Sequence, residues 1–213
     1  MTGKKHPKLL FIPTASRDAE GYIKVARKHF GTRLGCKIST LELTKNPSKI
    51  LAKKKILASD IVYVGGGNTL FMLKLWKRYG VKSLLRKALD KGTVLSGVSA
   101  GAICWFRYGN SDSRKEYIRL KCLGFFPLLL CPHYNVEKKR KPSLKKMMKN
   151  TPGMAIALDN CSALEIIGDK VRVITSKNNA NAYKVYWKKG KYHQHNLAKN
   201  TLFSLAQIIE KEP

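Results

Sequence analysis

The stretch Leu95-Ser96-Gly97-Val98-Ser99-Ala100-Gly101-Ala102 decides how the rest of the chain is interpreted. It follows an apolar run, residues 92–95, and precedes a run compatible with a helix, so Ser99 falls where a buried strand should turn into a helix. Gly97 and Gly101 flank Ser99 at the Gly-x-Ser-x-Gly spacing, which a sharp turn requires because side chains there would collide with neighbouring elements. The pattern predicts a nucleophile elbow. For these residues alone, a glycine-rich connection with an incidental serine is the alternative.

Length and composition indicate the class of protein. With 213 residues, 44% of them hydrophobic, the chain can bury a full core, and we predict one domain over residues 1–213. The sequence contains no apolar run of about 18 residues and no convincing signal-peptide core, so we expect a cytoplasmic protein without a membrane partner. The five cysteines lack Cys-x-x-Cys spacing, which favours buried thiols over disulfides or a zinc site.

The chain is strongly basic. Its 42 Lys and Arg residues against 13 Asp and Glu residues give a net charge of +29, which suggests an anionic partner such as nucleic acid. The charges are spread along the whole chain, and no helix-turn-helix, zinc finger or aromatic RNA-binding strand accompanies them. We therefore do not expect a nucleic-acid partner. A basic host proteome or an anionic small substrate explains the charge equally well.

Strands and helices alternate in the first half of the sequence. Strands are expected at residues 8–13, 37–43 and 60–64. Each is followed by an expected helix, at 18–33, 48–57 and 70–79 respectively. The third strand leads into Gly65-Gly66-Gly67, and in open parallel sheets ligands bind at the carboxyl ends of strands. Short antiparallel strands at 163–167, 170–175 and 182–187 and a helix at 202–209 are expected to end the chain. The fold class is therefore α/β, with a mostly parallel sheet.

Four motifs in order carry a resemblance. They are Val62-Tyr63-Val64-Gly65-Gly66-Gly67-Asn68-Thr69, then Gly97 to Ala102, then Cys131-Pro132-His133-Tyr134, then residues 155–164. This series resembles the peptidase E family of aspartyl dipeptidases and their cyanophycinase relatives. The resemblance implies a flavodoxin-like, doubly wound sheet of the class I glutamine-amidotransferase type, with a serine in place of the cysteine of those relatives.

A serine needs a neighbouring base to act as a nucleophile, and histidine is the usual one. Of five histidines, His133 is the one that ends an apolar run, residues 125–131, where it is held by Pro132. We therefore predict Ser99 as nucleophile and His133 as general base. A histidine of the core or the surface is the alternative.

The third catalytic residue departs from the family pattern. The resemblance implies an acidic residue, usually Glu, in the turn after residues 154–158, and here that turn reads Asp159-Asn160. Either side chain can accept a hydrogen bond from the imidazole, but only a carboxylate also stabilises the imidazolium. We prefer Asp159, with Asn160 as its rival and Glu165 third.

The remaining site residues concern the oxyanion and the substrate. The oxyanion hole should consist of backbone amides, from Ala100 and from Gly66 or Gly67. The resemblance implies that Arg140 clamps a substrate carboxylate, and that Asp112 lies near the site, where it could receive the substrate α-amino group. A solvated charge and a loop-capping aspartate are the respective alternatives.

Together these features predict a serine peptidase that cleaves the peptide bond after an N-terminal aspartate. Its partner is a small acidic peptide, it needs no metal or organic cofactor, and it is a monomer or homodimer. A cyanophycinase-like hydrolase of β-aspartyl peptides is one alternative. Another is a catalytically silent relative that binds an anion or nucleic acid, which loss of the catalytic acid would favour.

Overall fold

The computed structural model describes residues 2–210. The chain divides into two compact units, with the boundary between Ala102 and Ile103. The single domain expected over residues 1–213 stays a prediction, and its ends at 1 and 211–213 lie outside the described residues. None of the described helices is both long and apolar enough to cross a membrane.

The first unit is a parallel sheet flanked by helices. Its strands run in the order β2-β1-β3-β4, and every neighbouring pair is parallel. The strands are β1 Lys8–Ile12, β2 Lys37–Thr40, β3 Ile61–Val64 and β4 Val94–Gly97. The helices are α1 Glu20–Ala26, which continues as a π-helix over Arg27–Arg33, α2 Lys49–Leu57, α3 Thr69–Tyr79, α4 Val81–Asp90 and α5 Ala100–Ile103. The predicted alternation of strands and helices is confirmed.

Local sequence explains where these elements lie. In the centre of β1, Leu10 and Phe11 are fully buried, as expected for a parallel strand covered on both faces. Helices α2 and α3 begin at polar caps, since the Ser48 hydroxyl and the Asn68 side-chain oxygen each accept a backbone N–H of the first turn. Helix α3 ends at Gly80, whose φ of 65° lies in the left-handed region that favours glycine.

Asp60 ties the starts of β1 and β3 together. One carboxylate oxygen accepts the Lys8 amide at 2.8 Å, the other accepts the Lys4 ammonium at 2.7 Å, and the Asp60 amide donates to the Lys8 carbonyl at 2.9 Å. The hydrogen bond from Lys4, followed by that from Lys8, lowers the pKa of Asp60 below its ordinary value, because both favour the ionised form.

We expect Asp60→Asn to lower the midpoint of urea unfolding at pH 7, by a free energy on the order of 0.5 kcal/mol for a solvent-screened pair. A carboxyl group whose pKa is depressed by folding stabilises the native state above its unfolded pKa, near 4, and loses that contribution as the pH falls through the folded value. The difference between variant and wild type should therefore shrink below about pH 4. Asp90→Asn, at an exposed aspartate, removes the same charge and should leave the midpoint unlowered.

The second unit contains two sheets. The larger has six strands in the order β12-β11-β8-β7-β5-β6, with parallel pairs β8-β7 and β7-β5 at its centre, and the smaller has the antiparallel order β13-β10-β9. The strands are β5 Phe106–Ser111, β6 Ile118–Lys121, β7 Phe126–Cys131, β8 Ala155–Leu158, β9 Ser162–Ile167, β10 Lys170–Thr175, β11 Ala182–Lys188, β12 Lys191–Asn196 and β13 Leu202–Ser204. Helices α6 Arg140–Lys149 and α7 Leu205–Ile209 complete it.

The α/β class, with parallel strands at the sheet centres and antiparallel strands toward the C-terminus, is confirmed. One local expectation is wrong. The segment 202–209, expected as one helix, begins as strand β13, because pairing with the distant strand β10 outweighs local propensity. Asp112, for which a loop-capping role was the alternative, directly follows strand β5, and a polar stretch near the C-terminus forms edge strand β12 by pairing with its hairpin neighbour β11.

Candidate active site

Ser99 lies in a tight turn between β4 and α5. Its φ is 54°, in the left-handed region that non-glycine residues avoid at a cost of about 1–2 kcal/mol. Three backbone hydrogen bonds hold the turn: Val98 donates to Val64 at 3.2 Å, Gly101 to Val98 at 2.9 Å, and Ala102 to Ser99 at 2.9 Å. The predicted passage from strand through turn to helix is present. Strain of this kind is maintained where the surrounding structure determines the backbone closely.

The two glycines beside Ser99 leave no room for side chains. A Cβ at Gly97 would collide with the carbonyl oxygen of Gly101, and a Cβ at Gly101 would collide with that of Val64. The expected steric reason for the Gly-x-Ser-x-Gly spacing is therefore observed. Strand β3, the turn and helix α5 thus approach one another mainly through backbone atoms.

We expect Gly101→Ala to destabilise the protein by on the order of 3 kcal/mol, because the methyl group must displace backbone of a central strand. Urea unfolding followed by circular dichroism measures this. Gly21→Ala is the matched control, since a Cβ there meets nothing within 4 Å and alanine favours helix α1, by about 0.5–1 kcal/mol. Equal stability of the two variants would contradict the steric account.

The triple glycine contacts the same turn. A Cβ built on Gly66 would lie 3.3 Å from the Ser99 Cβ and 3.9 Å from its hydroxyl oxygen, so this backbone lies directly against the serine. The Gly66 amide donates to the Tyr22 hydroxyl at 3.3 Å. Gly67, with φ at 132°, packs on the Ala15 carbonyl. The structure thus brings Gly66 and Ser99 together. It also adds Tyr22, whose contact with the Gly66 amide no sequence motif indicated.

His133 follows the end of β7 and also has a positive φ, 56°. Its Nδ1 is 2.7 Å from the side-chain oxygen of Asn160. The backbone N–H of Asn160 donates to the side-chain oxygen of Asn135 at 2.9 Å. With an amide oxygen as acceptor, Nδ1 carries the proton and Nε2 keeps its lone pair. The contact with Asn160 thereby fixes the orientation of the His133 ring.

Asp159, the residue preferred from the sequence, does not make this contact. It is buried, one carboxylate oxygen accepts the Asn181 amide at 3.0 Å, and its own amide donates to the Asn181 carbonyl at 3.0 Å. Asp159 thus continues the pairing of β8 with β11, while Asn160 leaves the strand. Glu165, the third choice, pairs with Arg172 at 2.6 Å. Among the three candidates, the partner of His133 is Asn160.

Arg140 and Asp112 are brought together, in a buried network. The Arg140 side chain is 2% exposed, donates to the Asn110 carbonyl at 2.7 Å and to Glu137 at 2.6 Å, and lies 3.9 Å from Asp112. Burial disfavours the charge of Glu137, but the Tyr117 hydrogen bond and Arg140 outweigh it and lower the pKa of Glu137. The two terminal nitrogens of Arg140 are therefore engaged inside the protein, whereas its buried Nε has no hydrogen-bond partner. Sequence reasoning missed Glu137, three residues before Arg140 in a basic run.

Within residues 2–210, no group of three or more His, Cys, Asp or Glu side chains is placed to hold a metal ion. All five cysteines are thiols rather than disulfides; Cys104 and Cys131 are buried, as expected, whereas Cys161 is exposed.

A model of Peptidase family S51 matches residues 1–174. The chain belongs to peptidase family S51. It is accordingly a peptidase, and the predicted resemblance to peptidase E is confirmed.

Curated relatives of this S51 peptidase agree. The uncharacterized peptidase YgaJ of Bacillus subtilis (strain 168) is 41% identical over 184 residues, covering 85% of this chain and 79% of that protein. Peptidase E of Shewanella denitrificans is 27% identical over 183 residues, covering 80% and 75%. A crystal structure of a peptidase from an acI-B1 actinobacterium superposes with a TM-score of 0.72 at 20% identity, covering 94% of this chain and 84% of that one. This last likeness shows a common fold.

Proposed function

We propose that this S51 peptidase is a serine peptidase that hydrolyses the peptide bond after an N-terminal aspartate in dipeptides and short peptides. The observation that carries the proposal is Ser99, held in a left-handed turn between two glycines with Gly66 against its side chain. A strained serine at the carboxyl end of a parallel strand is the arrangement of a nucleophile. The aspartate preference follows from the resemblance to aspartyl dipeptidases.

In the proposed reaction, the Ser99 hydroxyl attacks the carbonyl carbon of the N-terminal residue while His133 accepts its proton at Nε2. His133 then gives that proton to the leaving amine, and a water molecule, activated in the same way, hydrolyses the acyl-enzyme. The amides of Ala100 and Gly67 are the proposed oxyanion donors, on the order of 3 kcal/mol each in the transition state. We assign Gly66 a smaller part because its amide donates to Tyr22.

Asn160 takes the place of the catalytic acid in this proposal. In a well-studied serine protease, replacing the triad Asp by Asn costs about four orders of magnitude, because the imidazole is then held in the wrong tautomer. Here the Asn160 oxygen faces Nδ1 at 2.7 Å, which supports the productive tautomer without supplying a negative charge. We therefore propose an enzyme with an oriented base and a slower proton transfer than a carboxylate would support.

We expect Asn160→Asp to raise kcat/KM by about 10-fold to 100-fold, because a carboxylate at the same position also stabilises the imidazolium. Asn160→Ala should lower kcat/KM, since it removes the acceptor for Nδ1. Steady-state rates across pH 5–9 measure both effects. If the Asp and Ala variants change in the same direction, Asn160 does not orient His133.

The proposed specificity is tested by comparing Asp-Leu with Leu-Leu, Glu-Leu and β-Asp-Leu, using Ser99→Ala as the control. We expect Asp-Leu to be cleaved fastest and activity to fall by at least about 10⁴-fold in the variant, as for removal of other catalytic serines. Preference for β-Asp-Leu would indicate the cyanophycinase-like alternative. If well-folded protein cleaves none of them and a fluorophosphonate fails to label Ser99, the silent binding protein replaces this proposal.

We further propose that the enzyme acts in the cytoplasm as a monomer or homodimer, without a nucleic-acid or membrane partner. The dispersed charge of the chain supports the part of this proposal that concerns nucleic acid, since the 42 basic residues are not gathered into one run. Unchanged mobility of mixed DNA and RNA in the presence of the protein at about 0.15 M salt is the expected result.

A further inference from the structure

A second strained segment lies at the carboxyl end of β1. Arg17 and Asp18 follow one another with φ values of 57° each, two consecutive non-glycine residues in the left-handed region. Each costs about 1–2 kcal/mol. The Asp18 carboxylate anchors the segment by accepting the Thr44 amide at 2.7 Å and the Thr44 hydroxyl at 2.6 Å. Burial raises the pKa of Asp18 above its ordinary value despite these hydrogen bonds, because burial disfavours the charged form of the carboxyl group.

This segment packs on the loop that contacts Ser99. The Ala15 carbonyl accepts the Asn68 amide at 2.8 Å, and the absent side chain of Gly67 is what lets Ala15 come so close. The sheet order β1-β3-β4 separates the end of β1 from the end of β4 by two strand spacings, about 10 Å. An extended arginine and a substrate side chain together cover that span.

The Arg17 guanidinium is exposed and stacked. Its central carbon lies 4.2 Å from the centroid of the Phe71 ring, in the first turn of α3. Within residues 2–210, no carboxylate or other acceptor lies within hydrogen-bonding distance of it, in contrast to Arg140, which is buried against Glu137. Stacking on an aromatic face restricts the guanidinium while leaving its edge donors available, which suits bidentate binding of a carboxylate.

We propose that Arg17 binds the side-chain carboxylate of the N-terminal aspartate and so determines the acidic specificity of the enzyme. This inference rests on the proposed function. It transfers the role of substrate cation from Arg140, which is buried against Glu137, to an exposed arginine that follows the carboxyl end of β1, in the sheet whose parallel strand β4 leads into Ser99.

The test compares Asp-Leu with its neutral isostere Asn-Leu. In Arg17→Gln, kcat/KM for Asp-Leu should fall by about 10-fold to 100-fold, as expected when a charge-assisted pair is lost, whereas that for Asn-Leu should change by less than about 3-fold. Arg17→Gly removes the same cation and relieves the left-handed strain, so it should fold at least as well and show the same loss. Arg33→Gln, at an exposed arginine of the same unit, removes one charge elsewhere and should leave both rates unchanged.

The outcomes separate this inference from the function on which it rests. Labelling of Ser99 by a fluorophosphonate at the wild-type rate in each variant shows that the nucleophile turn is intact. If wild-type enzyme cleaves Asp-Leu and both Arg17 variants keep its preference over Asn-Leu, only the role of Arg17 is overturned. A loss seen with Asp-Leu but not with Asp-Leu amide would assign Arg17 to the C-terminal carboxylate and also overturn it. If wild-type enzyme cleaves no acidic peptide, the proposed function and this inference fail together.

Discussion

The approach of the Val64 carbonyl to the Cα of Gly101 is the constraint on which the turn at Ser99 depends. It is possible only because Gly101 and Gly97 have no side chains, and it lets the Val98 amide bond to Val64. The turn can then hold Ser99 at a positive φ. The strain of Ser99 is therefore supported by backbone packing between β3, β4 and α5, and the hydroxyl does not have to be positioned by its own contacts.

At His133, too, the backbone conformation and the side-chain contact are provided by different parts of the structure. The backbone of His133 also has a positive φ, and the neutral side-chain amide of Asn160 contacts the Nδ1 atom of its ring. An amide oxygen can choose the tautomer but cannot offset the positive charge that develops on the ring. The carboxylate of the adjacent Asp159 could offset such a positive charge, but it is buried and bonded to Asn181, where β8 pairs with β11. The two neighbouring side chains thus have different partners, Asn181 for Asp159 and His133 for Asn160.

Burial also separates the two arginines considered as substrate cations. Arg140 is enclosed with Glu137 and Asn110, where its donors balance a carboxylate and a carbonyl inside the protein. Removing such a guanidinium from its partners would leave the half-buried carboxylate of Glu137 uncompensated. Arg17 has its aromatic neighbour and its strained backbone but remains exposed at the rim. A substrate-binding cation must exchange bound water for substrate, so the exposed Arg17 suits that role better than the buried Arg140.

The sequence by itself determined the alternation of strands and helices, the turn at Ser99 and the glycine loop, because these follow from hydrophobic periodicity and from steric limits acting between near neighbours. It also distinguished His133 from the other histidines by the apolar run before it. Only the tertiary structure decided that Asn160 and not Asp159 contacts His133, that Arg140 is buried, and that strand β13 forms. Those outcomes depend on partners distant in sequence, such as Asn181, Asn110 and β10, which no local pattern specifies.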